Sequence, residues 1–112
     1  GNDVKIRYEV NAGEGHYMIE PMLLIAFVEN AFKHGTGSGA DAWIGIRLHV
    51  NNGEMTFDVK NRFEEQGSKD DSSGIGLHNV RARLGLLYKN RHKLEIAEEN
   101  NIFQVTLTLQ LT

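Results

Sequence analysis

Glu29, Asn30, Lys33 and His34 close one predicted helix with a polar patch, and Gly74-Ile75-Gly76-Leu77-His78-Asn79 opens another with paired glycines. Asn30, Lys33 and His34 are three and four residues apart and so share one helix face. An amide oxygen and a carboxylate are hard ligands suited to Mg²⁺, which keeps several waters and takes phosphates as its remaining ligands. Lysine adds a point charge for phosphate oxygens. In the second stretch, glycines ahead of a helix let the backbone approach a phosphate, and the free N–H groups of the first turn, aided by the helix dipole, attract it. The two stretches thus have the chemistry of two halves of a nucleotide site. Asn61, at the end of a predicted strand, adds an amide whose oxygen can accept from an adenine amino group and whose NH₂ can donate to a ring nitrogen. Plainer readings stand beside each: a solvated helix end with Lys33 and His34 answering the dipole, a loop-to-helix junction punctuated by glycine, and an asparagine capping a turn.

The elements that must carry these residues follow from periodicity. Val4, Ile6, Tyr8 and Val10 alternate with Lys5, Arg7 and Glu9, which predicts a strand with one face in the core. Pro21 suits a first helical turn, and Met22, Leu23, Ile25, Ala26, Phe27, Ala31 and Phe32 make a broad apolar face on a helix from about Glu20 to His34. Gly35-Thr36-Gly37-Ser38-Gly39 ends that helix. Ala42 to Val50 and Met55 to Lys60, joined by Asn51-Asn52-Gly53, predict a hairpin. Arg62 to Ser73 is polar and reads as a mobile loop. A second helix is expected from near Gly74 to Gly76 to about Tyr88, burying Leu77, Val80, Leu84, Leu87 and Tyr88. Lys93 to Glu98 and Phe103 to Leu111 make a closing hairpin around Glu99-Asn100-Asn101. The order predicts an α/β fold of the α+β kind, a two-layer sandwich with both helices on one face of a mixed, mainly antiparallel sheet. No βαβ repeat and no Gly-x-x-x-x-Gly-Lys-Ser/Thr is present, which argues against Rossmann and P-loop folds.

Bulk composition narrows the function classes. The chain has 112 residues, 40% hydrophobic and 24% charged, the profile of one globular domain spanning residues 1–112. A formal charge of −3 gives no electrostatic reason to expect nucleic acid as a partner. The absence of cysteine excludes disulfides, thiolate metal sites and cysteine nucleophiles. No apolar run reaches the roughly 20 residues that span a bilayer. The abrupt opening, Gly1-Asn2-Asp3 running into a strand, suggests a piece of a longer protein.

In this order and spacing the segments resemble the ATP-binding domain shared by gyrase, a heat-shock chaperone, mismatch-repair proteins and histidine kinases, most closely sensor kinases of the LytS type. Pro21-Met22-Leu23-Leu24-Ile25-Ala26-Phe27-Val28-Glu29-Asn30-Ala31-Phe32-Lys33-His34-Gly35 is similar to that family's N box. Gly74-Ile75-Gly76-Leu77-His78-Asn79-Val80-Arg81-Ala82-Arg83-Leu84 resembles its second glycine box, and Leu86-Leu87-Tyr88 its Leu-Tyr ending.

The resemblance implies a Bergerat-type ATP-binding fold with ATP and Mg²⁺ as cofactors. It implies that Asn30 ligates the metal, that Lys33 and His34 face the phosphates, that Gly74, Ile75, Gly76 and Leu77 cradle them, and that Asn61 meets the adenine. Arg62 to Ser73 becomes the ATP lid. Glu29, Asn30 and Lys33 form the implied catalytic set, Glu29 as a metal-water contact or structural charge and not a general base. Asn61 stands where most histidine kinases carry the aspartate of an Asp-x-Gly-x-Gly box, and Phe63 and Glu65 replace its glycines, a divergence shared by the LytS-like branch. Ala26 stands where hydrolytic members carry a water-activating glutamate. A kinase of this type has no need of that group, because its nucleophile is a histidine on a separate upstream helical dimerisation domain.

The implied activity is therefore that of a protein histidine kinase: the domain supplies the ATP γ-phosphoryl group to that histidine, from which it passes to a response regulator. His16, His34, His49, His78 and His92 all fall inside the ATP domain, so the fragment lacks the phosphoacceptor. The implied setting is the cytoplasmic part of a homodimeric inner-membrane protein. Two other readings share the fold: a pseudokinase that signals by protein contacts, and a protein serine kinase of the anti-sigma-factor type.

Overall fold

A computed structural model describes residues 5–13, 15–35, 42–62 and 71–111, with side chains at 34, 35 and 71–76 left out of that description. Seven elements follow in the order β1 (Lys5–Asn11), α1 (Pro21–Gly35), β2 (Trp43–Asn51), β3 (Glu54–Arg62), α2 (Asp71–Leu87), β4 (His92–Glu99) and β5 (Ile102–Gln110). They build the expected α+β sandwich, a five-stranded mixed sheet in the spatial order β1-β2-β3-β5-β4. Only the β1–β2 pairing is parallel; β2–β3, β3–β5 and β5–β4 are antiparallel. The β1–α1–β2 segment is therefore a single βαβ crossover at one edge.

Both hairpins turn through two residues with positive φ. Asn52 (φ 52°) and Gly53 (φ 78°) join β2 to β3, and Asn100 (φ 53°) and Asn101 (φ 64°) join β5 to β4. Such turns match the right-handed twist of the flanking strands, and asparagine and glycine tolerate the left-handed conformation best.

The pleat then sorts the sheet into two faces. Ile44 and Val50 of β2, Met55, Phe57, Val59 and Asn61 of β3, and Val105, Leu107 and Leu109 of β5 are buried on the side that carries the helices. Leu23, Phe27 and Ala31 of α1, Val80 and Leu84 of α2, and Tyr88 just beyond it complete one core cluster. The opposite face is polar. There Asp58 accepts from Gln104 Nε2 at 2.6 Å and from the Thr106 hydroxyl at 2.8 Å.

The two helices are tied together at opposite ends. The Tyr88 hydroxyl accepts from the Glu20 backbone N–H at 3.2 Å, just before α1 begins, and Arg83 pairs with the Glu20 carboxylate at 3.2 Å. The start of α1 is thus anchored to the end of α2, which fixes how α1 lies across the sheet.

Four expectations are corrected. The alternating β1 has no buried face: every residue from Lys5 to Asn11 is exposed, because α1 packs on β2 and β3 and leaves the edge strand bare. On α1, Met22, Ile25 and Phe32 are exposed, so the apolar stripe is wider than the contact it makes. On α2, Leu87 is exposed and the helix ends there, with Tyr88 taking the buried position just beyond. Finally, Arg62 belongs to β3 and residues 71–73 to α2, so the interconnecting stretch shortens to 63–70, which lies outside the described residues.

Candidate functional site

Among the described residues only two polar side chains are buried, Asn30 (8% exposed) and Asn61 (1% exposed). Both were singled out by the sequence as ligand residues. Burying an amide is costly unless it is hydrogen-bonded, so such positions are held by a structural partner or by use. No buried side-chain nitrogen or oxygen lacks a partner among the described residues.

Asn30 sits in the second half of α1, one turn beyond Phe27 and directly before Ala31, both core residues. The helix face that packs on the sheet therefore passes from apolar to amide just as it reaches the end of the element. Glu29 and Lys33 flank Asn30 on exposed positions of α1. His34 lies on the same helix, and its side chain is outside the described residues. A carboxylate, an amide and an ammonium are thus displayed within about one and a half turns of helix.

Asn61 is positioned by the sheet. It pairs with Ile44 of β2 and Phe103 of β5 near the end of β3, and the pleat turns it to the helix-covered side along with Met55, Phe57 and Val59. Its Nδ2 donates to the Arg62 carbonyl at 3.1 Å. This bond orients the amide locally. Since α1 packs directly on β3, the structure brings the elements of Asn30 and Asn61 together on one side of the sheet.

The glycine stretch is where structure and expectation part. With α2 beginning at Asp71, Gly74, Ile75 and Gly76 lie within the helix and not ahead of it. Only about the first four N–H groups of a helix lack an internal partner, so the Gly76 N–H is already engaged. Leu77 is half-buried and packs against the core, which is the structural reason for an apolar residue at that position. Helix propensity then makes a prediction. Gly76→Ala should stabilise α2 by roughly 0.5–1 kcal/mol, and Gly85→Ala, whose added methyl meets no atom within 4 Å, by a similar amount, as read by chemical denaturation.

Among the described residues no group of three or more His, Asp or Glu side chains converges. A Mg²⁺ ion held through Asn30 would accordingly draw most of its ligands from water and phosphate, the coordination that this ion favours. A buried amide on a rigid helix fits that role. Two open cavities lie at the β1–β2 edge, one of about 490 Å³ beside Glu9, Arg47 and His49 and one of about 380 Å³ beside Arg7, Trp43 and Ile44, and neither is lined by Asn30 or Asn61.

Comparison with known proteins agrees with this architecture. No protein-family model and no curated protein sequence matches the chain. Solved structures do. The histidine kinase AdeS of Acinetobacter baumannii matches with a TM-score of 0.66 at 16% identity, over 96% of this chain and 55% of that one. Full-length ShkA in complex with AMPPNP matches with a TM-score of 0.69 at 11% identity, over 99% of this chain and 26% of that one. The histidine kinase ThkA in complex with the response regulator TrrA matches with a TM-score of 0.61 at 17% identity, over 96% of this chain and 34% of that one. The chain has the fold of histidine kinase catalytic domains and spans 55% or less of each of these three structures.

Proposed function

We propose that this chain is the ATP-binding catalytic domain of a sensor histidine kinase of the LytS type, holding ATP and Mg²⁺ for transfer of the γ-phosphoryl group to a histidine on a separate helical domain. The observation that carries this reading is the coincidence of the two buried polar side chains, Asn30 and Asn61, with the two residues that the family pattern assigns to metal and adenine. The fold shared with a kinase captured with AMPPNP and with one captured with a response regulator supports the same reading.

Phosphoryl transfer asks little covalent chemistry of the protein: it is mainly positioning and charge neutralisation. In this reading the rigid α1 presents Asn30 to the metal, with Lys33 and His34 toward the phosphates and Glu29 beside the metal waters. Asn61 reads the adenine edge from the end of β3. Bound Mg²⁺ neutralises phosphate charge. Gly74, Ile75, Gly76 and Leu77 would hold the phosphates at the opening of α2. Asp71, Ser72, Ser73 and Gly74 are weak helix formers, so opening that turn to free its N–H groups costs little. Gly76→Ala should accordingly weaken nucleotide binding while it stabilises the helix, and Gly85→Ala should stabilise without touching affinity. Equal affinities for the two variants and wild type would remove the second glycine box from the site.

The proposed setting of the parent protein is a membrane-anchored homodimer with this domain on the cytoplasmic side, and its proposed downstream partner is a response regulator. No helix among the described residues is long and apolar enough to cross a membrane. The base assignment has its own test. Asn61→Ala should lower affinity for ATP by about tenfold or more, the cost of losing one or two good hydrogen bonds, and narrow the preference for ATP over GTP. Direct titration of both nucleotides measures this; an unchanged preference would move the adenine contact elsewhere.

A further inference from the structure

The edge strand β1 is bare. Among the described strands its one neighbour is β2, and all seven of its residues are exposed, Tyr8 at 77%. The Lys5 N–H donates to the Ala42 carbonyl at 3.1 Å. Because main-chain groups alternate along a strand, Lys5, Arg7, Glu9 and Asn11 turn theirs toward β2, while Ile6, Tyr8 and Val10 leave N–H and C=O groups on the open edge. The side chains alternate as well. Ile6, Tyr8 and Val10 share the helix-side face with Ile44, Ile46 and Leu48, and Arg7 and Glu9 share the other with Gly45 and Arg47.

We propose that this edge docks a second copy of the chain, β1 against β1, antiparallel, with Tyr8 on the two-fold axis. The charge pattern selects the register. Centring the pair on Ile6 would oppose Lys5 to the partner's Arg7, centring on Arg7 would oppose that residue to itself, and centring on Glu9 would do the same for its carboxylate; like charges directly opposite destabilise a strand pair. A Val10 centre leaves a short overlap. Centred on Tyr8, Arg7 faces the partner's Glu9 and Glu9 faces the partner's Arg7. Ile6 meets the partner's Val10, and Lys5 meets the partner's Asn11 without a clash.

The backbone agrees with this register. Tyr8 and its counterpart present their N–H and C=O groups to each other and exchange two hydrogen bonds, as do Ile6 and the partner's Val10. Arg7 and Glu9 then fall at non-hydrogen-bonded positions, where facing side chains lie closest. Glu9 already pairs with Arg47 of its own chain at 3.2 Å, and a carboxylate has acceptor sites for a second guanidinium. Edge strands commonly carry charges that repel other strands; here the signs are arranged so that one particular strand, its own copy, is accepted. A single seven-residue edge is small for an interface, so the dimer is weak on its own and strengthens where two copies are held close together. This inference stands apart from the nucleotide reading and uses none of its residues.

The experiment is sedimentation equilibrium over a concentration series reaching the millimolar range, at low salt, on wild type, R7E, E9R, the double variant R7E/E9R and an equimolar mixture of the two single variants. Each single variant places two like-charge pairs across the axis and should weaken self-association at least tenfold. The mixture restores opposite charges at both positions and should associate as well as wild type, as should the double variant. Both substituted side chains, Arg7 and Glu9, are exposed, and matching thermal melts establish that each variant is folded. A wild type that stays monomeric throughout, single variants that dimerise like wild type, or a mixture that fails to associate would each overturn the proposal.

Discussion

Phe27→Ala is expected to destabilise the domain by about 3–5 kcal/mol, the usual result of removing a buried aromatic ring whose site cannot collapse. Phe27 is 1% exposed, and its ring lies 6.2 Å from that of Phe57 on β3, tilted by 40°. It thus makes an aromatic contact between α1 and the sheet. Domains of this size have only about 5–15 kcal/mol of stability in total, so a loss on this scale brings the variant close to its unfolding threshold at ambient temperature. The effect reaches the candidate site as well. Asn30 follows Phe27 by three residues on the same helix face, and a helix that shifts to fill the void carries the amide with it. Urea titration followed by circular dichroism measures the loss. Ile25→Ala, on the exposed side of the same helix, is the matched control and should cost no more than about 1 kcal/mol.

The second large effect belongs to Asn30→Ala. Here the helix should stand, because alanine is the best helix former and the neighbouring core residues are untouched. What should disappear is the response of nucleotide binding to Mg²⁺. Hydrogen bonds and ligand contacts to charged groups are worth about 1.5–3 kcal/mol each, so the metal-dependent affinity should fall roughly ten- to a hundredfold. The metal-free affinity should change little. Asn30→Asp gives the contrast, since a carboxylate supplies the same hard oxygen and should keep the metal response. Calorimetric titration of an ATP analogue with and without Mg²⁺ reads both variants. An alanine variant that binds as wild type does, with the same metal response, would show that the buried amide serves the fold alone.

Much of this was legible in the chain, for identifiable reasons. Pro21 and the apolar spacing of Leu23, Phe27 and Ala31 specify α1 within a residue at either end. Asn52-Gly53 and Asn100-Asn101 specify two hairpins, because few other residues accept a positive φ at both turn positions. Two elements misled. The alternation in β1 truly separates an apolar from a charged face, but a period of two says nothing about whether a helix is present to cover it. Two helices cannot roof five strands, and the edge is what remains bare. The start of α2 misled for a local reason: serine and glycine read as loop, yet in the structure the helix continues through them from Asp71. At the site, residue types and spacing offered Asn30 and Asn61 as ligand candidates, and both side chains are buried. What sequence could not supply is the shared side of the sheet, which depends on the crossing of α1 over β3.

The central claim is that this domain holds a nucleotide through a metal. The most direct measurement is isothermal titration of the wild-type chain with a non-hydrolysable ATP analogue, in the presence of Mg²⁺ and again with the metal chelated. Saturable one-to-one binding is expected, weakening by at least tenfold when the metal is removed. Absence of binding in both conditions would contradict it and leave a histidine kinase fold serving as an interaction module.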